Sequence, residues 1–240
     1  GVRKPILLLK KKKRFAKSSL AQVIAPDTNS LGVMLPYTPL HLLLSKKLEA
    51  MIVTSANLSG LPLEYDNSSA QEKLSTVADY YLFHSRNIKI AVDDSVSQVV
   101  LNEEQVIRHA RGFAPQVIKV KQGLATLACG SDLKNTFCLS NGKFAFLSHY
   151  TGSLKNLESY QRFKDNIAHY QKLYQIEPQL IAHDLHPNYY TTQYAKKLLG
   201  EKVAVQHHHA HLVSCMVEHQ IEGPAIGIAF DGLGLGTDGN

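Results

Sequence analysis

Four of the chain's twelve histidines lie within one six-residue stretch, Gln206-His207-His208-His209-Ala210-His211. On a helix of 3.6 residues per turn, His207 and His211 project from one face four positions apart, a separation that lets two imidazoles reach one divalent ion. His208 and His211, three apart, are the next pair. Such a cluster can also be a solvated helix start, but its density and the acidic, glycine-rich stretch that follows favour a metal. Asp231 opens that stretch, Asp231-Gly232-Leu233-Gly234-Leu235-Gly236-Thr237-Asp238-Gly239. Two imidazoles and a carboxylate with open positions suit Zn²⁺ or Fe²⁺, and the open positions would polarise a carbonyl or phosphoryl oxygen. Gly232, Gly234 and Gly236 let backbone N–H groups approach phosphate closely, although glycines equally serve tight turns.

Other stretches offer weaker signals. Thr54-Ser55-Ala56-Asn57-Leu58-Ser59-Gly60 brings hydroxyls, an amide and a glycine into one loop that could cradle a nucleotide. Taken alone, the loop reads better as an ordinary turn. Lys134 and Asn135 sit in a turn from which they could clamp a phosphate or a carbonyl oxygen; a lysine in a turn is usually just solvated. Asp93 and Asp94 have the hard oxygens that Mg²⁺ prefers but are equally a solvated turn, and they stay unassigned. The sequence has no G-x-S-x-G elbow, no Walker loop and no G-x-G-x-x-G after its first strand, so serine hydrolysis and the two commonest nucleotide folds are disfavoured.

The elements that must position these residues follow from hydrophobic periodicity. Residues 203–205 read as the end of a strand, and Ala210, Val213, Met216 and Val217 recur at helical spacing, so the histidines stand where a strand hands over to a helix. Upstream, strands are expected at 5–9, around 31–35, at 51–53, 80–83 and 99–101. Thr38 followed by Pro39 predicts a helix from 39 to about 49, with Leu40, Leu43, Leu44 and Leu48 on its buried face. A polar helix is expected over 66–79. The second half opens with strands at 124–129, 136–139 and 144–147, the last two joined by Asn141-Gly142, a strong hairpin signal. A helix over 157–175, a strand at 180–182, a helix over 192–199, the histidine segment and a strand at 225–230 complete it. An antiparallel hairpin followed by strand-helix alternation indicates a mixed α/β sheet, which binds ligands at strand ends. Gly112 and Pro115, within a basic segment, mark a boundary, and 109–122 reads as a linker.

Composition narrows the class. At 44% hydrophobic and 19% charged residues the chain is globular, and no apolar run reaches a membrane-spanning length. The net charge of +6 is concentrated in Lys10, Lys11, Lys12, Lys13 and Arg14, so the remainder is close to neutral and has no basic stripe for nucleic acid. Three widely spaced cysteines, Cys129, Cys138 and Cys215, argue against a disulfide framework and for a reducing, cytoplasmic setting. Gly1 at the start and a glycine loop at the end lead us to expect a fragment open at both ends.

The residues quoted above also resemble a known family. The run 31–41, Leu-Gly-Val-Met-Leu-Pro-Tyr-Thr-Pro-Leu-His, together with the Thr54 to Gly60 loop, is similar to the YrdC-like nucleotide-binding domain. Leu133-Lys134-Asn135-Thr136-Phe137-Cys138, Asp184-Leu185-His186-Pro187, the histidine stretch and the Asp231 loop resemble the transferase domain of the hydrogenase maturation carbamoyltransferases, the HypF family. The resemblance implies an α/β protein of two incomplete domains. Residues 1–108 would be the end of a YrdC-like domain and 123–240 the start of an actin/Hsp70-like (ASKHA, ribonuclease H-like) mixed sheet. It also implies a reaction path: carbamoyl phosphate yields carbamate, ATP with Mg²⁺ activates it as carbamoyl adenylate, and the carbamoyl group passes to the C-terminal cysteine of a HypE-type acceptor. By motif, Ser55 and Asn57, with Thr54 nearby, would contact nucleotide. His207, His211 and Asp231 would hold Zn²⁺ or Fe²⁺, with Lys134, Asn135 and the 232–239 loop around the adenylate.

The family's acylphosphatase and zinc-finger regions and a later aspartate ligand are expected outside this stretch, so the piece alone should be inactive. Two departures are visible: Ser153 stands where the family commonly has Asp, and Cys129-Gly130-Ser131-Asp132 replaces Leu-Gly-Ala-Glu. Two other classes remain: a tRNA threonylcarbamoyladenosine-type enzyme, disfavoured by the fused domain order, and a non-catalytic ASKHA scaffold.

Overall fold

A computed structural model describes residues 3–12, 23–48, 50–232 and 234–236. Lys13 and Arg14 of the basic run, the expected helix end at Glu49, and Leu233, Thr237, Asp238 and Gly239 of the glycine loop lie outside the described residues. The chain forms two units, Gly1–Pro115 and Gln116–Asn240. Each carries a mixed sheet, and the α/β class expected from the sequence holds for both.

The first unit is a four-stranded sheet in the order β2-β1-β3-β4, built from β1 (Ile6–Lys10), β2 (Ser30–Val33), β3 (Val96–Val100) and β4 (Glu103–Arg108). β1 is central, antiparallel to β2 and parallel to β3. Helix α1 (Pro39–Ser45) starts as its sequence dictates: Thr38 caps it by accepting from the His41 N–H at 3.1 Å, and Pro39 occupies the first turn, where no donor is needed. Helix α2 (Asn67–Lys73) is capped by Asp66 and is shorter than the expected 66–79. Three further expectations fail here. Leu40, Leu43, Leu44 and Leu48 are exposed, because among the described residues nothing covers that face. Segments 51–53 and 80–83 run irregularly: they have apolar side chains, but among the described residues no strand pairs with them to complete a ladder. β4 was not anticipated, since Glu103, Glu104 and Gln105 give it no apolar face.

Arg111 closes this unit. Its Nε lies 2.6 Å from Asp94 Oδ1, its terminal nitrogens donate to the carbonyls of Arg3 (3.1 Å) and Lys4 (2.8 Å), and its guanidinium sits 3.6 Å over the Tyr37 ring. Asp93 faces Arg108 at 3.7 Å. Both aspartates weighed as Mg²⁺ ligands are thus engaged in ion pairs. The expected linker 109–122 is folded at both ends: Ala110 is fully buried in the first unit, and β5 (Gln116–Lys119) pairs with residues Phe144–Leu147 of the second.

The second unit has a six-stranded sheet in the order β10-β9-β6-β7-β8-β5. β6 (Thr126–Ala128), β7 (Cys138–Ser140) and β8 (Phe144–Leu147) form an antiparallel meander, while β9 (Leu180–Asp184) and β10 (Glu201–Val205) add on parallel to β6. α3 (Leu157–Tyr174) connects β8 to β9, α4 (Tyr190–Lys197) connects β9 to β10, and α5 (His207–Glu218) follows β10. α3 is capped by Asn156 and ends at Gln175 in the left-handed conformation. Its residues Phe163, Ile167 and Tyr170, at helical spacing, pack on Leu127, Phe137, Leu139 and Ile181 of the sheet side. Phe137 meets the rings of Phe163 and Tyr170 edge-on at 6.2 and 5.0 Å, a favoured aromatic geometry. The expected strand at 225–230 does not form; Ile226 and Phe230 are almost fully exposed. No helix among the described residues is long and apolar enough to cross a membrane.

The β7–β8 hairpin turns as its Asn-Gly pair requires. Asn141 Oδ1 accepts from the Lys143 and Phe144 N–H groups, and Gly142 adopts φ +85. A Cβ at Gly142 would also lie 2.2 Å from the Gly123 carbonyl oxygen. Gly142→Ala therefore combines left-handed strain with a backbone clash, and we expect it to destabilise the unit by about 2–3 kcal/mol. An unchanged urea midpoint would contradict this reading of the turn.

Candidate metal centre

β9 and β10 are parallel neighbours, with Asp184 opposite Val205, so their carboxyl ends open at the same edge of the sheet. Gln206 breaks the strand and caps α5, which places His207 in its first turn and His211 one turn on. The chain returns to this edge at Asp231. His207 Nε2 is 3.1 Å from Asp231 Oδ2, His211 Nε2 is 3.9 Å from the same oxygen, and the candidate ligand atoms of the three residues all lie within 4.8 Å of one another. Ligand atoms about 2.0–2.1 Å from a tetrahedral zinc stand about 3.3 Å apart, so the donor set fits one ion after small side-chain shifts.

Asp184 joins the candidate site although sequence reasoning did not assign it. Its carboxylate, 6% exposed, lies 2.5 Å from His207 Nδ1, and its other oxygen accepts from the His186 N–H at 2.9 Å. A carboxylate only accepts, so His207 Nδ1 carries a proton; Nε2 faces Asp231 and is the atom that would turn its lone pair to an ion held between them. Its position in the Asp184-Leu185-His186-Pro187 run at a strand end was the available signal; its partner, 23 residues away, was not.

An aromatic wall adjoins the carboxylates. The His186 and Tyr189 rings stack 4.1 Å apart at 9°. Burial, followed by the charges of Asp184, Asp132 and Asp231, raises the Tyr189 hydroxyl above its ordinary range. Asp132 caps α4 from a distance: its two oxygens accept from the Tyr190 and Thr191 N–H groups at 2.9 and 3.1 Å, which supplies the cap that Tyr189 cannot.

The glycines of the Asp231 loop differ from one another. A Cβ at Gly234 would stand 2.6 Å from Asp231 Oδ2 and His208 Nε2 and 2.9 Å from His207 Cδ2, whereas one at Gly232 would meet nothing within 4 Å. Gly234 is there because backbone packs directly on the cluster; Gly236 is half-buried.

Lys134 and Asn135 belong to a different loop, between β6 and β7. Lys134 is exposed and left-handed, at φ 50. Asn135 is 1% exposed, and its amide nitrogen donates to the Cys129 and Ser131 carbonyls at 3.0 and 2.7 Å. Its donors pin the loop, and its buried Oδ1 has no protein partner. The cysteines are free thiols; burial pushes Cys129 up to about 12 and Cys138 up to about 11, which makes both poor nucleophiles.

In the first unit, Thr54 and Ser55 are exposed on an irregular loop. Asn57 Nδ2 donates to the Leu58 and Leu61 carbonyls, both at 3.0 Å, so what Asn57 offers a ligand is its Oδ1.

Comparison with known proteins agrees with this division. A family model described as "Telomere recombination", that of the YrdC-like proteins, matches residues 2–110, and the model "HypF Kae1-like domain" matches residues 121–218. Fold and site together define a YrdC-like domain followed by a Kae1-like domain. Carbamoyltransferase HypF of Synechocystis is 44% identical over 98% of this chain and 31% of its own length, and Carbamoyltransferase HypF2 of Cupriavidus necator is 40% identical over 98% of the chain and 32% of its own. A crystal structure of full-length HypF in a phosphate- and nucleotide-bound form superposes with a TM-score of 0.91 at 46% identity, covering 99% of this chain and 38% of that one. The chain belongs to the HypF carbamoyltransferase family. It spans about a third of the length of the curated relatives it matches.

Proposed function

We propose that this chain is the part of a carbamoyltransferase that contributes to a nucleotide site through its first unit and to a metal-assisted transfer site through its second. The observation that carries the reading is the set of His207, His211 and Asp231, with His207 Nδ1 held by Asp184 and its Nε2 turned toward Asp231. It is supported by relatives named carbamoyltransferases and by a relative solved with phosphate and nucleotide.

In this reading, carbamoyl phosphate is hydrolysed to carbamate, and ATP with Mg²⁺ converts carbamate to carbamoyl adenylate with loss of pyrophosphate. Thr54, Ser55 and Asn57 contact the nucleotide in the first unit, Asn57 through Oδ1. In the second, the acceptor is the C-terminal cysteine thiolate of a HypE-type protein. Its sulfur attacks the carbamoyl carbon, a C–S bond forms, and the C–O bond to the adenylate breaks as AMP leaves with the electron pair. His207, His211 and Asp231 would hold Zn²⁺ or Fe²⁺, which when bound supplies Lewis-acid polarisation of the carbonyl oxygen. Gly232, Gly234 and Gly236 allow the backbone to lie against the adenylate, Lys134 places positive charge near its phosphate, and Asn135 holds the Lys134 loop in shape.

The test uses the whole protein that contains this chain, incubated with carbamoyl phosphate, ATP and acceptor. One carbamoyl group should appear by mass on the acceptor's terminal cysteine. No addition, or equal addition by the His207→Ala/His211→Ala variant, overturns the proposal.

A further inference from the structure

We propose that His208 is the hydrogen-bond donor of the His207/His211/Asp231 centre and not a further ligand of it: Gln206 holds it in the tautomer opposite to that of His207, and it serves the carbonyl oxygen of the acyl group bound there. The identity of that oxygen rests on the carbamoyl-transfer reading; the tautomer does not.

The argument begins at the helix cap. Gln206 Oε1 accepts from the His209 backbone N–H at 2.5 Å. A backbone N–H can only donate, so the amide end facing it is oxygen, and the other end is the NH₂ group. That NH₂ lies 2.9 Å from His208 Nδ1 and can only donate to it. His208 Nδ1 is therefore an acceptor, and in the neutral ring the proton is on Nε2. In His207 the logic runs the other way, since Nδ1 donates its proton to the Asp184 carboxylate, and Nε2, 3.1 Å from Asp231, is the nitrogen that would be deprotonated toward a bound ion. Two consecutive histidines are thus set to opposite tautomers by two different partners.

Both Nε2 atoms reach the same opening. His208 Nε2 is 3.9 Å from Asp231 Oδ2 and would be 2.6 Å from a Cβ at position 234, so it borders the space between the carboxylate and the loop backbone. At 3.9 Å the N–H is beyond hydrogen-bond reach of Asp231, which leaves it open to a group bound beside that carboxylate. A nitrogen that carries a proton cannot ligate an ion, but it can stabilise a carbonyl oxygen as negative charge develops on it. The helix terminus adds to this, because the amino end of α5 favours negative charge.

Gln206→Glu tests the idea with little change of shape. One carboxylate oxygen still caps His209, while the other replaces the NH₂ donor with an acceptor and should move the His208 proton to Nδ1. Long-range ¹H–¹⁵N spectra of the full, metal-free chain should show His207 protonated on Nδ1, His208 on Nε2, and His208 switched in Gln206→Glu. Titration with Co²⁺, read by its visible absorption, should give an affinity within about 3-fold of the parent for His208→Ala and weaker by more than about 10-fold for His207→Ala. In the whole protein, His208→Ala should slow carbamoyl transfer about 10²–10³-fold, the scale of one lost oxyanion donor, at unchanged metal content. A parent His208 protonated on Nδ1, a Co²⁺ loss in His208→Ala equal to that in His207→Ala, or undiminished transfer by His208→Ala would each overturn the proposal. If the parent transfers nothing, the carbamoyl reading fails, and the spectra and Co²⁺ titration still decide the donor assignment.

Discussion

Replacing His207 by alanine is expected to weaken Zn²⁺ binding more than about 100-fold, and replacing Asp184 by alanine about 10–100-fold, the usual cost of losing a partner behind a histidine ligand. The two losses differ in kind. His207 would contribute a donor atom directly, whereas Asp184 acts through it by keeping the proton on Nδ1 and the ring in place at 2.5 Å. Asp184 also accepts from the His186 N–H, so Asp184→Ala should lower stability as well. Asp184→Asn separates the effects: it keeps an acceptor and a similar shape but loses the charge, and should restore most of the stability while recovering only part of the affinity. Competition against a chromophoric chelator measures the first quantity and urea unfolding the second. Equal Zn²⁺ affinity across the parent, Asp184→Ala and Asp184→Asn would remove Asp184 from the site.

The second large effect is on stability and comes from the core. His149 is 4% exposed, and its pKa is lowered from 6.5 to about 4, first by burial and then by the nearby positive charges of Arg162 and His169. Its Nε2 lies 3.2 Å from the Asn166 amide nitrogen, which suits a neutral ring that accepts there, and its Nδ1 faces the Tyr170 hydroxyl at 3.5 Å. Because the folded pKa lies below the unfolded one, the unfolded chain binds more protons between pH 6.5 and about 4. Stability is therefore whole above pH 6.5 and falls as pH drops through that window, by on the order of 3 kcal/mol. Urea midpoints at about pH 7.5 and pH 4.5 should show the fall in the parent, and His149→Gln should reduce it by that amount. A variant with the same pH slope as the parent would place the sensitivity in another group.

Much of this arrangement could be read from local signals. Asn141-Gly142, the Thr38-Pro39 helix start and the alternation from 157 to 218 each follow from a few neighbouring residues, and each formed close to its expected bounds. The approach of His207 and His211 was legible for the same reason, because helical spacing brings two rings together; Asp231 was expected at the end of a strand that does not form, and an irregular segment carries it to them instead. What failed depended on partners distant in sequence. Segments 51–53, 80–83 and 225–230 have the apolar character of strands, but a ladder needs a neighbour with free backbone groups, which composition does not supply. β4 is the converse case, a polar segment made into a strand by its antiparallel pairing with β3. Asp184, Asp132 and Gln206 read as ordinary polar residues at element ends. Their roles appear only once a helix terminus or an imidazole is brought beside them.

The parallel pairing of β9 with β10 has a chemical side. Side chains alternate between the faces of a strand, and each residue advances the chain about 3.3 Å, so a slip of one position would carry the Asp184 carboxylate to the opposite face and away from α5. The helix, its cap and all four histidines would be unchanged in such a molecule, and circular dichroism would report it as native. Its His207 ring would nonetheless be free to turn its N–H toward the proposed metal site. Hydrogen-bond registry between two strands, a quantity normally associated with stability, is here the gauge that decides which imidazole nitrogen the proposed site would find open for coordination.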